Sequence, residues 1–116
     1  MEAQGIRAAD ELVVLVVYRA TRGFPVEERF GLQAQIRRGA VSVTANIVEG
    51  CARRTLRDYL HFIGIAVASA SEVRYLLDLA RRLGFLDGRG EQDLATRYGD
   101  LIRGLQTLIG SLEERA

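Results

Sequence analysis

The chain has 116 residues, 48% of them hydrophobic and 27% charged, with a net charge of +1. That fits one globular domain, residues 1–116, with a single modest core, and excludes a global charge bias toward nucleic acid or a membrane. The single cysteine, Cys51, rules out an intramolecular disulfide and a cysteine zinc site.

Four segments show helical character. The first spans about Ala8 to Arg22, capped by Asp10 or an earlier residue, with Glu11 favourable in the first turn. Its centre, LVVLVVY, would suit a strand by propensity. A lone strand would lack a partner, so the expectation is a helix buried on most sides. Gly23 and Pro25 end it, and Phe24 turns back onto the core. The amino end is polar and the run Leu12 to Val17 is short for a signal peptide. No run approaches the roughly 20 apolar residues of a membrane span. A cytoplasmic location, with no membrane partner, follows by default.

The second helix is expected over about Glu28 to Ala52, with Glu27 and Glu28 at its positive end. Gly50 is read as fraying or a bend. At 100° per residue, Gln35, Arg38, Ser42, Asn46, Glu49 and Arg53 form one polar stripe. Leu32, Ile36, Val43 and Ile47 lie on one side of it. Ala34, Val41, Ala45, Val48 and Ala52 lie on the other. A surface helix needs one apolar face, and this one has two. The second set is therefore the candidate oligomer interface.

Thr55 caps the third helix, with Asp58 three positions on. Its apolar arc is Tyr59, Phe62, Ile63, Ala66, Ala70, Val73 and Leu77, and Gly84 is the left-handed stop after Leu83. Phe85 to Gln92 reads as a loop. The last helix, about Glu91 to Glu114, carries Leu94, Tyr98, Leu101, Leu105, Leu108 and Leu112 alternately four and three apart. Gly99, Gly104 and Gly110 are unexpected there, each costing about 1 kcal/mol relative to Ala. Short connections predict an all-α, up-down-up-down antiparallel four-helix bundle.

If the second and third helices form a hairpin about Thr55, facing positions sum to roughly 110. Arg38 then stands level with Glu72, Ser42 with Ser69, and Glu49 with His61. This predicts a structural polar network of Gln35, Arg38, Ser42, Asn46, Glu49, Ser69 and Glu72, with Arg38 internal and paired to Glu72, and Glu49 paired to Arg53 or His61. All sixteen basic residues are arginine. Arg29, Arg37, Arg38, Arg53, Arg54 and Arg57 against Glu49 make residues 29–57 a basic segment between mildly acidic flanks. Arg37, Arg53, Arg54 and Arg57 are the candidate phosphate contacts for RNA or DNA. The bland alternatives are a GC-rich genome and a solvated face.

The run Phe24-Pro25, Phe30-Gly31-Leu32, Gln35-Ile36-Arg37-Arg38, Ala40, Ser42, Asn46-Ile47, Glu49-Gly50 and Arg53 resembles the signature of the bacterial four-helix-bundle proteins, the 23S ribosomal RNA intervening-sequence proteins. Phe62, Ile65-Ala66, Ser69, Glu72, Leu76 and Leu83-Gly84 continue the likeness over nearly the whole chain. Ala68 stands in place of the expected glycine, and Val48 in place of the more usual alanine. The resemblance implies an up-down bundle assembled as a ring, a homopentamer, with no established enzymatic activity. It also implies kinship with the accessory factor of diversity-generating retroelements, which works with a reverse transcriptase and nucleic acid.

Three functions compete: a non-enzymatic oligomeric scaffold that binds nucleic acid or a nucleoprotein, a protein-interaction module for a neighbouring gene's product, and an enzyme. The third has least support. Arg54 and His61 match the Arg-x4–6-His spacing of HEPN-class ribonucleases, but arginine is frequent enough here to supply it by chance, and Thr55 replaces the usual polar residue. Glu49 and Glu72 lack a Glu-x-x-His motif. The expectation is therefore no catalytic residue, no metal and no cofactor.

Overall fold

The computed structural model describes residues 11–115 and, at Leu12, the backbone alone. The expected helix start at Ala8 and cap at Asp10 lie outside the described residues. A π-helical stretch, Glu11–Leu15, runs into the α-helix α1, Val16–Ala20. A 3-10 turn, Val26–Glu28, leads to α2, Leu32–Cys51; then come α3, Leu56–Arg82, and α4, Gly88–Glu113. The result is an all-α bundle measuring 46 × 23 × 20 Å. The α2–α3 hairpin forms its spine, α4 packs on α3, and the first arm closes against α2 and α4.

The ends of the helices follow from capping chemistry. Gly31, which precedes α2, has no side chain to cap it. Glu28 substitutes, its Oε1 accepting the Leu32 N–H at 3.0 Å. Thr55 Oγ1 accepts the Asp58 N–H at 3.1 Å and starts α3. Gly84 takes φ +82°, and Phe85 N–H returns to Ala80 O while Gly84 N–H returns to Arg81 O. This is a Schellman stop that only glycine adopts without strain. The loop that follows is shorter than Phe85 to Gln92. Asp87 Oδ1 accepts the Gly90 N–H at 2.7 Å, so α4 begins at Gly88.

Val17, Ile36, Ala40, Val43, Ile63, Ala66, Ala70, Val73, Leu77 and Tyr98 form the fully buried heart of the core. Phe24 does turn back, its ring 5.8 Å from that of Phe85. The first arm is not buried on most sides: Val13 and Val17 point in, while Leu15 and Tyr18 are exposed. Gly50 neither frays nor bends α2. It is buried, and a Cβ there would stand 3.2 Å from Phe62 Cβ. At Gly39 a Cβ would stand 2.7 Å from Val73 Cγ2. These two glycines, three turns apart, let α2 and α3 approach closely. The leucine seam of α4 is dry only at Leu94 and Tyr98. Leu101, Leu105 and Leu112 are half-buried and Leu108 is exposed.

The expectation that no run is long enough for a span needs correcting. By length and composition α3 qualifies, with 27 residues and a window of mean hydropathy 1.2. Packing accounts for one side of it, where Ile63, Ala66, Ala70, Val73 and Leu77 face the core. Only 33% of that window is buried, and Ile65 and Ala68 are exposed on the other side.

Candidate assembly and anion-binding surfaces of the hairpin

The polar stripe of α2 divides into an inner and an outer part. Ser42 Oγ lies 2.9 Å from Ser69 Oγ, so the two serines stand level as the hairpin register requires. Asn46 Nδ2 donates to Ser42 O at 2.8 Å and to Ser42 Oγ at 3.1 Å. These three half-buried residues make a small seam network. Glu49 pairs with Arg53, whose guanidinium lies 4.7 Å over the Phe62 ring. His61 is exposed and meets the Phe62 ring edge-on instead of reaching Glu49.

Gln35, Arg38 and Glu72 stay outside this network. Arg38 is exposed rather than internal, and it forms no ion pair with Glu72 among the described residues. Both lie on the water side of the seam, where a single pair is worth about 0–1 kcal/mol. Arg37 has the internal role instead. Its Nε donates to Thr21 Oγ1 at 2.9 Å, one Nη to Tyr18 O at 3.2 Å, and its guanidinium lies 4.5 Å over the Tyr18 ring. It pins α1 to α2 and is not a free phosphate contact. Arg53 is engaged by Glu49. Of the four candidate arginines, Arg54 and Arg57 are exposed with no ion pair among the described residues.

The candidate interface set lies opposite the core and is wet. Val41 is 44% and Val48 39% exposed; Ala45 and Ala52 are exposed and Ala34 is half-buried. Leu15 and Tyr18 of the first arm extend this face, and Phe30 at its upper end is 88% exposed. The helical arithmetic missed Phe30 because it lies in the turn before α2, outside the periodic segment. The Thr44 hydroxyl of α2 is buried without a hydrogen-bond partner among the described residues. On α3, Ile65 and Ala68 are exposed and Tyr75 is 58% exposed, giving a second apolar outer face.

Burial pushes the Tyr98 phenol well above its ordinary range. Tyr59 is raised too, by burial and then by the neighbouring Cys51. Among the described residues no three His, Cys, Asp or Glu side chains cluster as metal ligands would.

The sequence pattern of the 23S rRNA-intervening sequence protein family matches residues 4–107. The chain belongs to this family. Its fold matches a crystal structure from Bacteroides thetaiotaomicron, described as a protein with unknown function from the S23 ribosomal protein family. The TM-score is 0.79 at 22% identity, covering 90% of this chain and 96% of that one. At that identity the likeness speaks for the bundle alone. No curated protein matches. Within this intervening-sequence family member, the surfaces described above are where function has to be sought.

Proposed function

We propose that this protein is a self-assembling bundle in which further copies of the chain cover the outer face of α2, and that it works as a binding and assembly module rather than as an enzyme. The observation that carries the reading is the row Val41, Ala45, Val48 and Ala52, which is apolar, contiguous and exposed on the side opposite the core. A helix that keeps a second apolar face is a helix with a second neighbour. A closed ring requires two different faces per copy, because a face that pairs only with itself stops at a dimer. The outer side of α3, with Ile65, Ala68 and Tyr75, supplies the second face. The family resemblance suggests five copies.

Light scattering tests it. The wild-type chain should run at a multiple of its 12.8 kDa at micromolar concentration. Val41→Glu, which buries a charge in such a contact, should shift the mass to one chain while circular dichroism stays helical. A wild-type protein that is monomeric sinks the reading, and a larger complex formed only with a different protein favours an interaction scaffold instead.

A second reading rests on Arg54 and Arg57, which lie at the α2–α3 turn, exposed and with no ion pair among the described residues. Ring assembly would repeat this pair and turn a weak patch into a positive surface for nucleic acid. Arg54→Gln with Arg57→Gln should then lower the salt-sensitive retention of structured RNA or duplex DNA by at least tenfold. Equal retention by the double variant removes the reading.

A further inference from the structure

Phe30 has more of its surface in water than any other large apolar side chain among the described residues. The ring stands on a firm corner. Glu28 N–H returns to Pro25 O, Arg29 N–H to Val26 O and Gly31 N–H to Glu28 O, while the Glu28 carboxylate holds the first turn of α2. Beside it runs a groove of about 820 Å³ along α2, whose lining includes Tyr18, Arg29, Phe30, Gln33, Arg37 and Arg38 and reaches Ala34 and Val41 of the candidate interface set. That volume falls in the range of small-ligand sites.

The lining contains three guanidinium groups and no carboxylate, and none of the three has an ion pair among the described residues. Arg37 is held in place over Tyr18 by neutral acceptors, so its charge is oriented but uncompensated. The Arg29 guanidinium lies 5.9 Å from the Phe30 ring centroid, and Arg38 is exposed. Gln33 spends its amide N–H on Thr21 O at 2.8 Å, leaving its carbonyl oxygen to accept. The exposed Phe30 ring among cations suits a ligand that is flat at one end and anionic at the other. A second copy laid face to face here would set like charges against each other.

We propose that this groove binds one unstacked nucleotide, with its base on the Phe30 ring and its phosphate on Arg29 and Arg38, while Arg37 acts as a fixed positive charge behind them. The nucleotide is either free or part of a single strand. The site is separate from Arg54 and Arg57 at the α2–α3 turn, and it meets the proposed assembly face at Ala34 and Val41.

Fluorescence anisotropy of the full chain with a labelled ten-nucleotide oligouridine tests it, with uridine monophosphate and a matching RNA duplex as competitors. Phe30→Ala should weaken binding about tenfold and Phe30→Tyr should retain it, because base stacking needs only a ring. Arg38→Gln should reduce the salt slope by about one. Displacement by uridine monophosphate identifies a free nucleotide as sufficient, and displacement by the single strand alone identifies the strand. The proposal is overturned if neither probe binds at low salt, or if duplex competes as well as single strand and Phe30→Ala has no effect. It is also overturned if Phe30→Ala lowers the assembled mass while affinity holds, because the groove is then a contact between copies.

Discussion

At the scale of single residues, this chain shows how a side chain's role depends on which neighbour it meets. Arg37 and Arg38 are adjacent and chemically identical, yet one is clamped beneath the first arm and the other stands in water. A 100° step turns one toward Thr21 and the other away, and only the position of the first arm decides which side is inside. Tyr98 is the clearest case for a measurement. Its hydroxyl donates to Val13 O at 2.7 Å inside the core. Tyr98→Phe removes that buried hydrogen bond and should lower stability by about 1–2 kcal/mol at neutral pH. Because the native phenol holds its proton above the ordinary value of about 10, the unfolded chain ionises first. This contribution is complete below about pH 10 and is lost as pH rises toward the folded value. Urea unfolding between pH 7 and 11 should show the wild-type decline, and a shallower one in Tyr98→Phe.

At the scale of helices, most of what the chain built could be read in advance, because caps and periodicity are local. Thr55 with Asp58, Gly84 as a left-handed stop, and the apolar arc of α3 all act within one or two turns of sequence. The start of α4 was misread because Gly88 and Gly90 look like turn residues, while the Asp87 cap outweighs their poor propensity. Glycines were the least legible residues, since their meaning lies in what stands opposite. Gly39 and Gly50 face α3 at close range, whereas Gly104 and Gly110 face open space. Gly39→Ala should therefore destabilise by about 1–3 kcal/mol through overpacking against Val73. Gly104→Ala should stabilise by up to about 1 kcal/mol through helix propensity. Thermal melts of the two variants that move in the same direction would contradict this account of the hairpin.

At the scale of the whole molecule, the apolar residues outnumber the interior available to one copy. A 116-residue bundle encloses a limited core, and this one leaves Val41, Val48 and Tyr75 outside it. The proposed assembly links that surplus to stability. If copies cover these faces, the melting temperature should rise with protein concentration in the wild type and be independent of it in Val41→Glu. Arg54, Arg57 and the groove at Phe30 lie on surfaces that a ring would repeat around its axis, which ties any anion binding to copy number.

The amino-acid order by itself determined the all-α class, the number of helices, the hairpin level of Ser42 with Ser69, and the two-faced character of α2. Those follow from period, capping and spacing, which need no distant partner. Only the tertiary structure decided which arginines are occupied, that Gly39 and Gly50 admit a close helix, and that Phe30 stands clear of the core. Each of these depends on where the first arm and α3 lie relative to α2, and that placement comes from contacts between segments far apart in the chain.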